Sequence, residues 1–110
     1  MAFHPEADKE LARLKREDPD GHLAVMTVIE KLKVMGPMLQ FPHQSGVKGE
    51  GGEGLRELRP TSGRALIRPL YRRFKNLYVI LAIGPEAQVD PGGFARAVKR
   101  AQQRRVEITE

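Results

Sequence analysis

Apolar residues recur at helical spacing in the first third of the chain. Residues 5–17 carry a narrow apolar stripe among charged neighbours, which predicts a short outer helix. Asp18 and Pro19 then supply an N-cap and a proline at the first helical position. The next stripe is wide and ends at Gly36 and Pro37, which indicates the main core helix. Its members are Leu23, Val25, Met26, Val28, Ile29, Leu32 and Met35.

This periodicity is lost in the middle of the chain and then changes to that of strands. Residues 37–54 are rich in glycine, so we predict a flexible connection without regular structure. Three candidate strands follow at residues 55–59, 64–73 and 77–83. The last is apolar on both faces, as a central strand is. Lys75-Asn76 is the predicted hairpin turn between the second and third strands.

A third helix is predicted near the end of the sequence. Asp90 and Pro91 repeat the combination of cap and proline, and the helix that follows has one apolar and one basic face. The order of elements predicts a single α+β domain over residues 1–110. It has two N-terminal helices, a small antiparallel sheet of three to four strands and a C-terminal helix.

Positive charge is concentrated in the second half of the chain. Residues 1–54 hold 7 Lys or Arg against 9 Asp or Glu, whereas residues 55–110 hold 12 against 5. Nucleic acid and acidic proteins are the natural partners of such a surface. The sequence contains no cysteine and only three scattered histidines, so we expect no metal or other cofactor. No signal peptide and no apolar span is visible, which favours a cytoplasmic protein without membrane contact.

Six arginines face a single acid, Glu57, between residues 55 and 73. The planar guanidinium group offers five donors in a fixed geometry that fits phosphate oxygens. We therefore expect this region to bind a polyanion, with RNA as the first candidate. The six are Arg56, Arg59, Arg64, Arg68, Arg72 and Arg73.

Several motifs resemble the phage-derived, HigB-like branch of the RelE toxin superfamily. They are Gly36-Pro37-x-Leu39-x-x-Pro42-His43, Val47-Lys48-Gly49, Leu55-Arg56-Glu57-Leu58-Arg59 and Arg68-x-x-Tyr71. The resemblance implies a RelE-like fold and an endoribonuclease that cleaves mRNA, often on the ribosome, and so inhibits translation. It also implies a type II toxin-antitoxin system with a helix-turn-helix antitoxin as partner.

The resemblance also implies roles for individual residues. Arg68 matches the arginine that meets the scissile phosphate, Arg59 falls where basic residues surround the RNA, and Tyr71 matches a common aromatic residue of that strand. The sequence departs from the family at residues 84–87, Gly-Pro-Glu-Ala, where a basic stretch is usual. One expected phosphate contact or proton donor is therefore missing.

RNA cleavage without metal needs a proton acceptor for the 2′-OH and positive charge around the phosphorane. Arginine stays protonated, so Arg59, Arg68 and Arg72 are predicted to bind phosphate. Glu57 either accepts the proton or orients arginines through ion pairs. The predicted catalytic residues are thus Arg68, Arg59, Glu57 and Tyr71. The predicted RNA contacts are Arg56, Arg64, Arg72, Arg73, Lys48 and His43.

Two other functions remain open at this point. One is a module that binds RNA or the ribosome without cleaving it, which the departure at residues 84–87 favours. The other is a regulatory protein that binds the acidic segment of a partner. A helix-turn-helix regulator fits less well, because the predicted strands occupy the middle of the chain.

Overall fold

Three helices pack on the two faces of a five-stranded sheet in this computed structural model, which describes residues 1–49 and 51–108. The strand order is β1-β5-β4-β3-β2. The helices are α1 (Pro5–Glu17), α2 (Pro19–Met35) and α3 (Pro91–Arg105), and the strands are β1 (Ala2–Phe3), β2 (Gln44–Gly46), β3 (Arg56–Leu58), β4 (Ile67–Phe74) and β5 (Leu77–Pro85). Short 3₁₀ turns occupy Gly36–Met38 and Pro60–Gly63.

The predicted helix starts are confirmed. The Asp18 carboxylate accepts the Gly21 N–H at 3.0 Å, and the Asp90 carboxylate accepts the Gly93 N–H at 2.9 Å. Each cap satisfies a backbone donor that has no partner inside the helix. The second helix ends before Gly36, which has a φ of +53°.

Two apolar clusters lie on opposite faces of the sheet. One lies under α1 and α2 and includes Ile29 and Leu32 together with Tyr71 and Ile80 of the sheet. The other lies under α3 and includes Phe94. Strand β5 contributes to both clusters and pairs with β1 and β4, so the prediction of a central strand is confirmed.

The sheet differs from the prediction in two ways. It has five strands, and it is mixed because β1 pairs in parallel with β5, whereas a small antiparallel sheet was expected. Strand β2 lies inside residues 37–54, where no regular structure was predicted. Its backbone pairs with β3, from Gln44 opposite Leu58 to Gly46 opposite Arg56. Backbone pairing needs no apolar pattern, and the sequence of β2 has none.

The hairpin of β4 and β5 contains a β-bulge. Leu70 faces Ala82, but the next residue, Tyr71, faces Ile80, so Leu81 is an extra residue on β5. Leu81 and Ala82 therefore both belong to the cluster under α3, although they are adjacent in sequence. Residues on β4 keep their alternation, so Leu70 and Tyr71 lie on opposite faces.

Side chains from α1 and α3 cover the outer edge of β5 beyond the short β1. The Glu10 carboxylate accepts the Ile83 N–H at 2.9 Å and pairs with Arg104 at 2.6 Å. Arg100 donates to the carbonyl of Ile83 at 3.2 Å, and Arg104 donates to that of Leu81 at 2.9 Å. Backbone groups at this edge thus have partners without a further strand. Within the described ranges, no helix is long and apolar enough to cross a membrane.

Candidate nucleic-acid interface

Arg68 lies almost fully buried near the start of β4, with 3% of its side chain exposed. Its guanidinium group donates to the carbonyls of Ala65, Ile67 (3.1 Å) and Gly63 (3.2 Å). Its Nε lies 3.9 Å from the Glu57 carboxylate. Burial lowers the pKa of Arg68, and the charge of Glu57 partly offsets this effect. The donors of this side chain are thus directed mainly at the protein itself.

Glu57 stands at the centre of a polar group on the α3 side of the sheet. It pairs with Ser45 on β2 and with Leu70 on β4, so all three share one face. The Ser45 hydroxyl donates to its carboxylate at 3.3 Å, and Arg59 Nη1 lies at 3.5 Å. Side-chain exposure is 14% for Glu57 and 25% for Arg59. We call Ser45, Glu57, Arg59 and Arg68 the Glu57 cluster.

The segment between β3 and β4 gives this cluster its shape. Thr61 and Ser62 have φ values of +54° and +53°. This left-handed conformation is unfavourable in free energy for residues other than glycine. Gly63 also has a positive φ, and a Cβ there would lie 2.6 Å from Arg59 Nη2. The turn brings the Gly63 and Ala65 carbonyls to Arg68.

Four of the predicted residues are gathered elsewhere, around a surface cavity of about 440 Å³. Arg56, Tyr71, Arg72 and Arg73 line it with Tyr78, where the end of α2 approaches β3, β4 and β5. Tyr71 has 2% exposure and packs in the cluster under α1 and α2. Burial raises the pKa of its hydroxyl, and the charge of Arg56 partly opposes this shift. The structure does not bring Tyr71 to Glu57.

The remaining predicted contacts lie apart from both places. His43 and Arg64 line a third cavity, of about 430 Å³, beside Asp20 of α2. Arg64 precedes β4, which begins at Ile67 and not at residue 64 as predicted, because the Arg64 N–H closes the preceding turn onto the Thr61 carbonyl. Lys48 is exposed on the segment between β2 and β3.

Comparison with known proteins adds the following to this geometry. No family model matches the chain, and no curated protein matches it in sequence. YoeB in the YoeB-YefM complex from Staphylococcus aureus superposes with a TM-score of 0.57 at 13% identity, over 74% of this chain and 90% of that one. The YoeB/ParE toxin from Agrobacterium tumefaciens gives 0.55 at 15% identity, over 74% and 92%. This chain has a YoeB-like fold. The α+β architecture expected from the sequence, with two N-terminal helices, a small sheet and a C-terminal helix, is confirmed.

Within this YoeB-like fold, the segment at residues 84–87 is ordered by its own acid. The Glu86 carboxylate accepts the N–H groups of Gln88 (2.9 Å) and Val89 (3.2 Å), which forms a turn before α3. Gly84 is required for close packing, because a Cβ there would lie 2.5 Å from the Cβ of Ala97. The charge of Glu86 also acts on Arg68 and raises its pKa slightly against the effect of burial.

Sequence reasoning missed Ser45, which donates to Glu57. No signal marked this residue, since β2 itself was not predicted. Tyr78 was expected to be core, whereas its side chain is half-buried and lines the 440 Å³ cavity. Among residues 1–49 and 51–108, no three His, Cys, Asp or Glu side chains are grouped as ligands for a metal ion.

Proposed function

We propose that this protein is the toxin of a type II toxin-antitoxin system and that it cleaves mRNA without a metal ion. The observation that carries the proposal is the Glu57 cluster, a partly exposed carboxylate with two arginines within 4 Å, on a YoeB-like fold. A carboxylate next to fixed guanidinium groups offers both a proton acceptor and a phosphate partner.

Each member of the cluster has its own role in this proposal. Glu57 accepts the proton of a ribose 2′-OH while the 2′ oxygen attacks phosphorus. The bond from phosphorus to the 5′ oxygen breaks, and this leaving oxygen takes up a proton from water. Arg59 retains exposed surface and neutralises the phosphorane. Arg68 is a positioning residue, because carbonyls occupy most of its donors and its Nε faces Glu57. Tyr71 takes no part, since its ring lies on the other face of the sheet.

Cleavage of a labelled single-stranded RNA in the presence of EDTA tests this proposal. We expect products ending in a 2′,3′-cyclic phosphate. Glu57→Gln should reduce the rate by at least 100-fold, since general-base catalysis contributes about 10² to 10⁴-fold. Arg16→Gln is the matched control, because this arginine is exposed on α1. Equal rates for Glu57→Gln and the intact protein would exclude Glu57 as the base.

We further propose a helix-turn-helix antitoxin as partner, mRNA on the ribosome as substrate and the cytoplasm as the place of action. The solved YoeB from Staphylococcus aureus is in complex with YefM, which supports an antitoxin partner. Co-purification of this chain with the product of an adjacent gene tests the partner. The ribosome requirement is tested by comparing cleavage of the same mRNA alone and in translating ribosomes.

A second function, a module that binds RNA without cleaving it, is favoured by two observations. Arg68 is buried and bonded to carbonyls, and an acid replaces the basic stretch expected at residues 84–87. Retention of labelled RNA by the intact protein, with no new RNA ends on ribosomes or in solution, would select this function.

A further inference from the structure

The cavity lined by Arg56, Arg72 and Arg73 is separate from the Glu57 cluster. Arg56 and Tyr71 are paired across β3 and β4, and the next pair is Glu57 with Leu70. Neighbouring residues of a strand point to opposite faces, so Arg56, Tyr71 and Arg73 lie on the face opposite Glu57. Arg72 alternates to the Glu57 face, where its guanidinium group contacts Phe74, and it borders the cavity from that side. We call this space, with the rings of Tyr71 and Tyr78, the arginine–tyrosine cavity.

The charge of this cavity is of one sign among the described residues. Three guanidinium groups line it, and none of its lining residues is Asp or Glu. No ion pair within the described part of the chain involves Arg56 or its two partners, Arg72 and Arg73. Their charge is therefore not neutralised by an acid of the cavity lining, which favours an anion there.

Hydrogen bonds and a ring contact hold the three arginine side chains in place. Arg56 Nε donates to the Gln44 side chain at 2.6 Å, and Arg73 Nε donates to the Lys75 carbonyl at 2.6 Å. The Arg72 guanidinium group lies 5.2 Å from the centre of the Phe74 ring. Such anchoring reduces the entropy that these long side chains lose when they bind a ligand.

Strand geometry keeps the cavity open. The pairs of β3 with β4 end at Arg56 and Tyr71, so β4 runs on past the end of its neighbour. At Gly54, whose φ is +77°, a Cβ would lie 3.2 Å from Arg105 Nη1 and 3.6 Å from Arg72 Nη1. Glycine thus leaves room between two guanidinium groups.

Tyr78 supplies a ring that a base can stack on. Its side chain is half-buried, and the Arg73 guanidinium group lies 5.9 Å from the ring centre. Tyr71 lies behind it, with 5.9 Å between ring centres and an angle of 56° between ring planes. Bases of single-stranded RNA are bound by aromatic rings and guanidinium planes in this way.

We infer that the arginine–tyrosine cavity binds one ribonucleotide, its phosphate at Arg56 and Arg73 and its base on the ring of Tyr78. The chemistry of the cavity fits a nucleotide from either source, RNA or the free pool. RNA as the source rests on the function proposed above. The cavity then holds a strand at a second point, across the sheet from Glu57.

The test uses the intact chain and a fluorescent 2′-O-methyl RNA hexamer, which lacks the attacking hydroxyl and cannot be cleaved. Binding therefore stays measurable by anisotropy even if the protein is no nuclease. We expect about tenfold weaker binding for Tyr78→Leu and for Arg56→Gln. Tyr78→Phe should bind like the intact protein, because its ring is kept, and Arg16→Gln should do the same.

A photocrosslink gives a second measurement that needs no substitution. The same hexamer with one 4-thiouridine should crosslink to the peptide that carries Tyr78. Unchanged affinity of Tyr78→Leu and Arg56→Gln, together with no crosslink to the peptide that carries Tyr78, would overturn the inference. Competition by free AMP or UMP at equal affinity, with loss of that competition in Tyr78→Leu, would support the cavity and identify the free pool as the source.

Discussion

At the scale of a single residue, Arg68 is a predicted phosphate contact whose observed contacts are those of a structural residue. As a buried cation it holds three backbone carbonyls and faces Glu57. Replacing it by alanine removes the donor from these carbonyls and one of the two cations beside the Glu57 carboxylate, which keeps Ser45 and Arg59. A loss of activity in Arg68→Ala therefore does not by itself identify a catalytic residue.

We predict that Arg68→Ala lowers the free energy of unfolding by about 3 kcal/mol. Urea denaturation followed by circular dichroism measures this change. The exposed Arg64→Ala is the control and should change stability by less than about 0.5 kcal/mol. A loss below about 1 kcal/mol in Arg68→Ala would contradict the buried role.

Ser62 is strained by its backbone conformation. Its φ of +53° suits glycine, and its side chain is exposed. We predict that Ser62→Gly raises the free energy of unfolding by about 0.5 kcal/mol, because relief of strain exceeds the added entropy of the unfolded chain. Arg64→Gly, at a φ of −76°, should instead destabilise the protein in the same urea assay. Equal signs for the two variants would refute the account of strain.

At the scale of elements, side chains of α1 and α3 provide the hydrogen-bond partners that a further strand would give to the edge of β5. Burial raises the pKa of the Glu10 carboxyl. Hydrogen bonds from Arg104 and the Ile83 N–H, together with the charges of Arg104 and Arg100, lower this pKa by more than burial raises it. The net pKa is below the ordinary 4.5. The carboxylate therefore stabilises the fold above pH 4.5, and this contribution is lost as pH falls through the lower pKa of the folded state.

The corresponding prediction concerns Glu10→Gln. Its unfolding free energy should lie below that of the intact protein at pH 7, and the difference should shrink as the pH is lowered below about 4.5. Urea titrations at several pH values measure it, with the exposed Glu17→Gln as a control that changes little. A difference that grows towards acid pH would reverse the sign that we assign to Glu10.

Contact between α3 and β5 leaves no room for a side chain at Gly84. The alanine Cβ would lie 2.5 Å from the Cβ of Ala97, so Gly84→Ala should lower stability by about 2 kcal/mol. At Gly46 the nearest atom to such a Cβ is Arg56 Nη1 at 3.7 Å, so Gly46→Ala is a matched control that should be tolerated. Thermal unfolding of both variants measures this difference, and equal midpoints for Gly84→Ala and Gly46→Ala would contradict the prediction.

Local signals explain which elements were predicted. Apolar spacing and the caps at Asp18 and Asp90 are written within a few residues, so the helices and the β4–β5 hairpin could be predicted. Strands β1 and β2 are too short for a pattern, and they form through distant pairing, such as Ala2 with Val79. Strand alternation alone places the adjacent Arg56 and Glu57 on opposite faces. Which of these faces packs against α3 depends on the pairing with Tyr71 and Leu70 of β4 and was not visible in the sequence.

At the scale of the whole molecule, the salt dependence of the proposed RNA binding separates direct phosphate contacts from net charge. Binding that neutralises phosphates releases counterions, so the logarithm of affinity falls with the logarithm of salt by about 0.7 per contact with single-stranded RNA. We predict that Arg56→Gln with Arg73→Gln reduces this slope by about 1.4. The pair Arg13→Gln with Arg16→Gln on α1 removes the same charge and should leave the slope nearly unchanged. Equal slopes for both pairs would mean that only net charge matters.

The parallel pairing of β1 with β5 also bears on how the protein is made. Ala2 pairs with Val79, and Arg68 pairs with Gly84. The sheet therefore cannot form completely until β5 has left the ribosome. Contacts so distant in sequence form slowly. The Glu57 cluster and the arginine–tyrosine cavity are therefore both complete only when synthesis has passed β5.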